Sequence, residues 1–175
     1  MNPNNSTRMN PFCYQVTEPT VLLLRGVNGS GKTEYSKKVS ALVKDAVVLS
    51  TDSFFTKDDV YAYDASKVQE AVQFVLEKLK ELFEKKTQFI VIDDKHLSVD
   101  EMKPYINLAK EKSYNVTVVD IQTPWATRES ECAKRTKKSK LDEIKKDIEK
   151  MKKTADISES LKKVYPKTRF MYSYI

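Results

Sequence analysis

Glycine is scarce in this chain, with three in 175 residues. All three, Gly26, Gly29 and Gly31, fall in one short stretch, so backbone conformations that favour glycine are concentrated in a single turn. Cysteine is nearly as rare. Cys13 and Cys132 stand far apart, which excludes a disulfide framework and favours a reducing, intracellular setting, cytoplasmic or nuclear. A single histidine, His96, excludes chemistry that needs a histidine pair and is expected to be structural rather than catalytic. No apolar run approaches the roughly 20 residues of a membrane span, so no membrane is expected as a partner. The polar Met1 to Asn10 lacks the apolar centre of a signal peptide.

What is present begins with that turn. Gly26-Val27-Asn28-Gly29-Ser30-Gly31-Lys32-Thr33 reads G-x-x-x-x-G-K-[ST], a phosphate-binding loop. The apolar run Val21 to Leu24 precedes it as a buried strand. Thr33 to Lys44 follows, with Tyr35, Val39, Leu42 and Val43 on one helical face. In this context Gly26, Asn28, Gly29, Ser30, Gly31, Lys32 and Thr33 are expected to cradle the phosphates of ATP. Lys32 would reach the β- and γ-phosphates and Thr33 would ligate Mg²⁺.

The rest of the chain alternates strands and helices. Ala46 to Leu49 reads as a second strand, ending at Ser50-Thr51-Asp52. Residues 53–64 mix aromatic and polar residues with no clear period and read as a functional loop with a helical turn. Residues 66–86 carry one apolar stripe of helical spacing. Gln88 to Ile92 is a third strand, ending in Asp93-Asp94. Residues 98–112 form a helix with Ser98 as N-cap, and Pro104 inside it predicts a displaced start or a kink. Asn115 to Ile121 is a fourth strand. Thr123-Pro124-Trp125 opens a helix through Lys134, with Trp125 under the sheet edge, and Leu141 to Lys153 forms a further helix with a narrow apolar face. Phe170 to Ile175 reads as a short edge strand. Residues 1–18, rich in Asn and Pro, are expected to be a flexible tail ahead of a single domain over 19–175.

This order predicts an α/β protein of three layers, of the P-loop NTPase/kinase type, with a central parallel sheet of four to five strands. Ligands in such sheets bind at the carboxyl ends of the strands, where the phosphate loop, Asp52, Asp93 and Thr123-Pro124-Trp125 all lie. Asp93 stands where a Walker-B carboxylate holds Mg²⁺. Asp52 can accept the proton of an attacking hydroxyl, a role that suits a kinase.

Charge is uneven. Lys134 to Lys153 holds ten basic and four acidic residues, which equals the formal net charge of +6 of the whole chain. Such a bias favours an anionic partner. Residues 128–140 read as a basic lid. Arg135, with Arg128 beside it, is the candidate for transition-state charge, because a guanidinium contacts phosphate oxygens in pairs.

At the level of these motifs residues 20–153 resemble the P-loop domain of polynucleotide-kinase-like proteins, and among them the Nedd-four-binding-protein-two family. Leu22 to Gly26 running into Gly29 to Thr33, Ser50-Thr51-Asp52 with Phe54-Phe55, Glu101-Met102-Lys103-Pro104-Tyr105 and Thr123-Pro124-Trp125 carry the likeness. The P-loop domain of cyclic-nucleotide phosphodiesterase is more distantly similar. The resemblance implies ATP- and Mg²⁺-dependent phosphorylation of a 5′-hydroxyl on DNA or RNA, with Asp52 as general base, Lys32 and Thr33 on nucleotide and metal, and Arg135 in the lid. The departures lie on the acceptor side. Asp93-Asp94-Lys95-His96 replaces the family's D-N-T-N, Val72 and Val75 replace a His and an Asn, and Phe55 stands where the phage enzyme has an arginine. Three readings stay open: a polynucleotide 5′-hydroxyl kinase, a small-metabolite kinase, and an ATP-binding module without catalysis.

Overall fold

A computed structural model describes residues 16–173. The expected tail therefore lies mostly outside the described residues, as do Cys13 and the last two residues of the proposed edge strand. In order, the chain forms β1 (Thr20–Arg25), α1 (Lys32–Leu42), β2 (Val47–Leu49), α2 (Asp52–Phe55), β3 (Thr56–Lys57) and β4 (Val60–Tyr61). A 3₁₀ turn (Ala65–Lys67) leads into α3 (Val68–Glu84). Next come β5 (Phe89–Ile92), α4 (Val99–Glu111), β6 (Asn115–Ile121), α5 (Glu129–Arg135), α6 (Leu141–Lys153), α7 (Ile157–Val164) and β7 (Arg169–Ser173).

Five strands pair in the order β2-β5-β1-β6-β7, and every pairing is parallel. Successive side chains of a strand face opposite sides of the sheet, so each strand feeds two cores. Val21, Leu23, Ile90, Ile92, Val116 and Val118 pack against α3, α4 and α7. Leu22, Leu24, Phe89, Val91, Val119 and Ile121 face Tyr35 and Val39 of α1. The result is the α/β three-layer fold that the strand-helix alternation predicts. A third cluster joins Val27 and Leu97 to Cys132 of α5 and to Ile144 and Ile148 of α6. This small core ties the phosphate loop to the two basic helices.

The structure departs from the sequence reading in four places. The segment after Thr123 turns through Trp125, with Ala126 N donating to Thr123 O and Arg128 N to Trp125 O, and the helix starts only at Glu129. Residues 53–64 hold the expected helical turn as α2, but a two-stranded hairpin follows it in place of a loop. Pro104 does not displace α4, which starts at Val99 behind Ser98 and runs through the proline. Helix α7, not foreseen, buries Ile157 and Leu161 below β7.

Candidate functional site

The phosphate loop joins the carboxyl end of β1 to α1. Gly31 takes φ 107° as N-cap of α1 and, being glycine, supplies no side-chain cap to the helix. Its first-turn N–H groups and partial positive charge therefore suit an anion. Gly29 has φ 83°, and a Cβ there would stand 2.1 Å from the carbonyl oxygen of Cys132 in α5. Neighbouring elements hold the loop open. Trp125 Nε1 donates to Gly29 O (3.1 Å), Thr123 Oγ1 to Ser30 O (2.8 Å) and Asn28 Nδ2 to Ser139 Oγ (2.8 Å). Ser30 Oγ is buried without a hydrogen-bond partner. Trp125, expected beneath the sheet edge, instead braces the loop and lines the cleft.

Lys32 is 6% exposed and its ammonium donates to Val27 O at 2.9 Å. Burial pulls its pKa down to about 8, against the opposing pull of Asp93 and Asp94. A desolvated cation of this kind gains most when a phosphate replaces its carbonyl partner. Thr33 is exposed on the cleft wall. Asp93 is buried at the tip of β5 and accepts from Ser36 Oγ at 3.2 Å. Among the described residues no group of three or more His, Cys, Asp or Glu side chains is placed to hold a metal. The Thr33 hydroxyl and the Asp93 carboxylate on the cleft wall fit Mg²⁺, which prefers one or two protein oxygens together with substrate phosphates. The open first turn of α1, the unpartnered Ser30 hydroxyl and the desolvated Lys32 likewise fit a nucleoside triphosphate.

Asp94, beside Asp93, faces the other way. It accepts from Thr51 N (3.1 Å), Thr51 Oγ1 (2.6 Å) and Ser50 Oγ (3.3 Å), and Asp52 N in turn donates to Ser50 Oγ (3.2 Å). Asp94 thereby fixes the turn that presents Asp52, while burial pushes its own pKa up to about 7. Asp52, first residue of α2, pairs with Lys138. Tyr61 stands close by, and burial followed by the Asp52 charge keeps its phenol protonated.

Lys32, Thr33, Asp52, Asp93 and Arg135 line one cleft of about 1460 Å³. Arg135 lies over the Trp125 ring, 4.4 Å from its centroid, and pairs with Glu131 at 2.7 Å. Arg128 is not brought to this cleft. It lines a separate hollow with Glu131, Leu141 and Lys145. His96 is buried beneath the cleft; its Nδ1–H donates to Leu24 O, and burial lowers its pKa to about 4, so it stays neutral.

Three features escaped sequence reasoning: Lys138 on Asp52, the Asp94 bracket, and the aromatic hairpin. Only the hairpin had a local sign. Asp58 and Asp59 both adopt positive φ between Thr56-Lys57 and Val60-Tyr61, as a two-residue hairpin turn requires.

The AAA domain family matches residues 21–157. The chain belongs to this family. Human NEDD4-binding protein 2 is 36% identical over 115 residues, which are 66% of this chain and 6% of that protein. A chain of the Pnkp1/Rnl/Hen1 RNA repair complex superposes with a TM-score of 0.63 at 18% identity, covering 79% of this chain and 46% of that one. A gluconokinase from Sinorhizobium meliloti gives 0.55 at 11% identity, covering 88% and 82%. At these identities the structural likeness is one of fold. The fold is that of a P-loop kinase. Among the described residues no helix is long and apolar enough to cross a membrane.

Proposed function

We propose that this protein is an ATP-dependent kinase that phosphorylates 5′-hydroxyl ends of a polynucleotide. The observation that carries the reading is the single cleft in which the phosphate loop, Asp93 and Asp52 meet and whose lip bears Lys137, Lys138 and Lys146. A triphosphate on the loop and a hydroxyl beside Asp52 share that space, and Lys137, Lys138 and Lys146, which line it together with Asp100, Glu101, Glu143 and Asp147, offer cations to the phosphates of an acceptor strand. The occurrence of the same fold in an RNA repair complex agrees with such an acceptor.

In this reading Lys32 leaves the Val27 carbonyl for the β- and γ-phosphates. Asp52 takes the proton of the attacking 5′-hydroxyl as the new P–O bond forms and the bond to the departing ADP oxygen breaks. Lys138 must first give up Asp52 and then lies close enough to offset the charge at the transferred group. Arg135 supplies the guanidinium from α5 once it is released from Glu131. Thr33 and Asp93 would hold Mg²⁺, which neutralises charge between the β- and γ-phosphates when bound. Within the basic stretch 128–140 the link 136–140 acts as the lid, with Arg128 outside the reacting space.

The test is incubation with γ-labelled ATP, Mg²⁺ and 5′-hydroxyl DNA or RNA oligonucleotides, with polyols such as gluconate alongside. Label is expected on the oligonucleotide end and not on the polyol. Transfer to neither nucleic acid under any divalent metal would overturn the reading.

A further inference from the structure

The side of the cleft beyond Asp52 is aromatic and apolar. Phe55 is 7% exposed and packs edge-on to Phe54 with ring centroids 5.2 Å apart. Phe54 reaches Phe74 of α3 at 5.8 Å. On this fixed base sits Tyr63, 5.1 Å from Phe55 yet 53% exposed. Tyr61 stands 6.5 Å from Phe55 on the other side, with the Lys138 ammonium 6.0 Å from its ring centroid. The β3–β4 hairpin carries Tyr61, with Phe54 and Phe55 in α2 before it and Tyr63 just after it; Ala62 N closes the segment onto Phe55 O at 2.9 Å. Val68 and Val72 of α3 complete the same wall.

A two-stranded hairpin has little stability of its own. Here Val60 of the hairpin and Tyr63 just after it are left largely in solvent along the cleft, which is the arrangement of a platform rather than of a core. Phe55, Val60, Val68 and Val72 give this wall an apolar centre, with Asp59, Gln69 and the two tyrosine hydroxyls as its polar groups. Such a wall suits a flat π-face, since every base stacks on an aromatic ring while cations nearby take the backbone. Lys138 stands between the platform and Asp52, where the backbone of such an acceptor would run.

We propose that Tyr63, propped on Phe55 and flanked by Tyr61 and Val72, is a stacking subsite for the base of the acceptor's 5′-terminal nucleotide. The subsite rests on the kinase reading given above and names its acceptor as a single-stranded or frayed end.

The full chain is titrated, at fixed salt and with an unreactive ATP analogue, against an oligonucleotide fluorescently labelled at its 3′ end. A matched oligonucleotide carries an abasic 5′-terminal residue. Tyr63→Ala and the abasic end should each weaken binding about fivefold or more. Combined, they should cost no more than either alone, and Tyr63→Phe should bind as the parent does. ATP affinity and melting temperature, unchanged in Tyr63→Ala, would confirm that the fold is intact. Equal binding of both oligonucleotides, or a Tyr63→Ala loss that persists on the abasic end, overturns the subsite. So does failure of the parent to bind either oligonucleotide, which would leave the platform as a protein-docking face. Label transfer with no sensitivity to Tyr63 sinks the subsite alone. Tyr63-dependent binding without label transfer sinks only the kinase reading.

Discussion

Asp52→Asn separates the chemistry of the cleft from its architecture. The asparagine keeps the shape of the side chain but cannot accept a proton. General-base catalysis contributes about 10²–10⁴ in rate, or about 2.7–5.4 kcal/mol at 1.36 kcal/mol per decade. Stability should barely move. The Asp52 side chain is 30% exposed and its partner Lys138 36%, so the lost ion pair is worth at most about 1 kcal/mol. For a chain of this length that is a fall of at most about 4 °C in melting temperature. Nucleotide affinity should also hold, because Asp52 is the weakest of the charged neighbours acting on Lys32 and forms no hydrogen bond to the phosphate loop. The assay is single-turnover transfer of γ-labelled phosphate to a 5′-hydroxyl end, with ATP binding measured separately by calorimetry. A variant that keeps more than about a tenth of the parent rate would clear Asp52 of the base role. One that loses ATP affinity in step with rate would show that the two functions are not divided as the geometry implies.

Three further outcomes follow from the same contacts. Gly29→Ala adds about 1–2 kcal/mol of left-handed backbone strain and drives a Cβ into the Cys132 carbonyl, so calorimetry should find ATP affinity at least tenfold weaker. Asp120→Ala strands the buried Arg25 guanidinium, whose Nε lies 3.3 Å from the carboxylate at 2% exposure. It should cost about 3–5 kcal/mol, or about 6–20 °C in a thermal melt. The double variant Arg25→Met with Asp120→Leu should regain part of that loss, the remainder being the Arg25 bonds to Leu97 O and Thr154, and a double no better than the single would refute the ion-pair account. Because the folded pKa of His96 lies near 4, below its ordinary 6.5, its contribution is intact above pH 6.5 and is lost as pH falls toward 4, a span of about 3 kcal/mol. Asp94 acts in the opposite sense, since its raised pKa favours the folded state on acidification from about pH 7. The difference in melting temperature between the parent and His96→Asn, followed from pH 7 to 4, isolates the histidine. Asparagine tolerates the φ of 45° there, and an acid limb unchanged by the substitution would refute the assignment.

Residues whose neighbours along the chain dictate their environment were legible in the sequence. Val21 to Leu24 and Phe89 to Ile92 are continuous apolar runs because helices cover the sheet on both faces, and the structure buries them. The α3 stripe and the single glycine-rich turn were equally plain, and with them the rim on which Lys32, Asp52 and Asp93 meet. Properties set by the tertiary arrangement were not legible. Nothing local distinguishes Arg128, which faces a side hollow, from Arg135, seven residues on and stacked over Trp125 in the cleft. Proline and tryptophan after β6 read as a helix start, yet Trp125 is committed to the Gly29 carbonyl and the helix waits until Glu129. Lys138 was one lysine among many in the basic run, and only the fold shows that it reaches Asp52.

The basic segment also differs in kind from a hinged flap. Helix α6 is tied down at three points. Asp147 pairs with Lys95 at 2.7 Å, Lys150 with Glu101, and Thr154 accepts from Arg25, the residue that precedes the phosphate loop, at 3.0 Å. Helix α5 is pressed against Gly29 through Cys132, whose thiol donates to Trp125 O. A rigid swing of either helix would break these half-exposed polar contacts and open the core shared by Val27, Leu97, Cys132 and Ile144, and the core is the larger cost. What can yield is the link between them, residues 136–140, where Lys138 holds Asp52 and Ser139 holds Asn28. Those two contacts reach one group on the acceptor side and one on the nucleotide side. In the proposed kinase, a hydroxyl taking Asp52 and a phosphate chain taking the loop would each release one end of this link. Closure would then answer to both substrates while the cations on α5 and α6 stay where the fold has already put them.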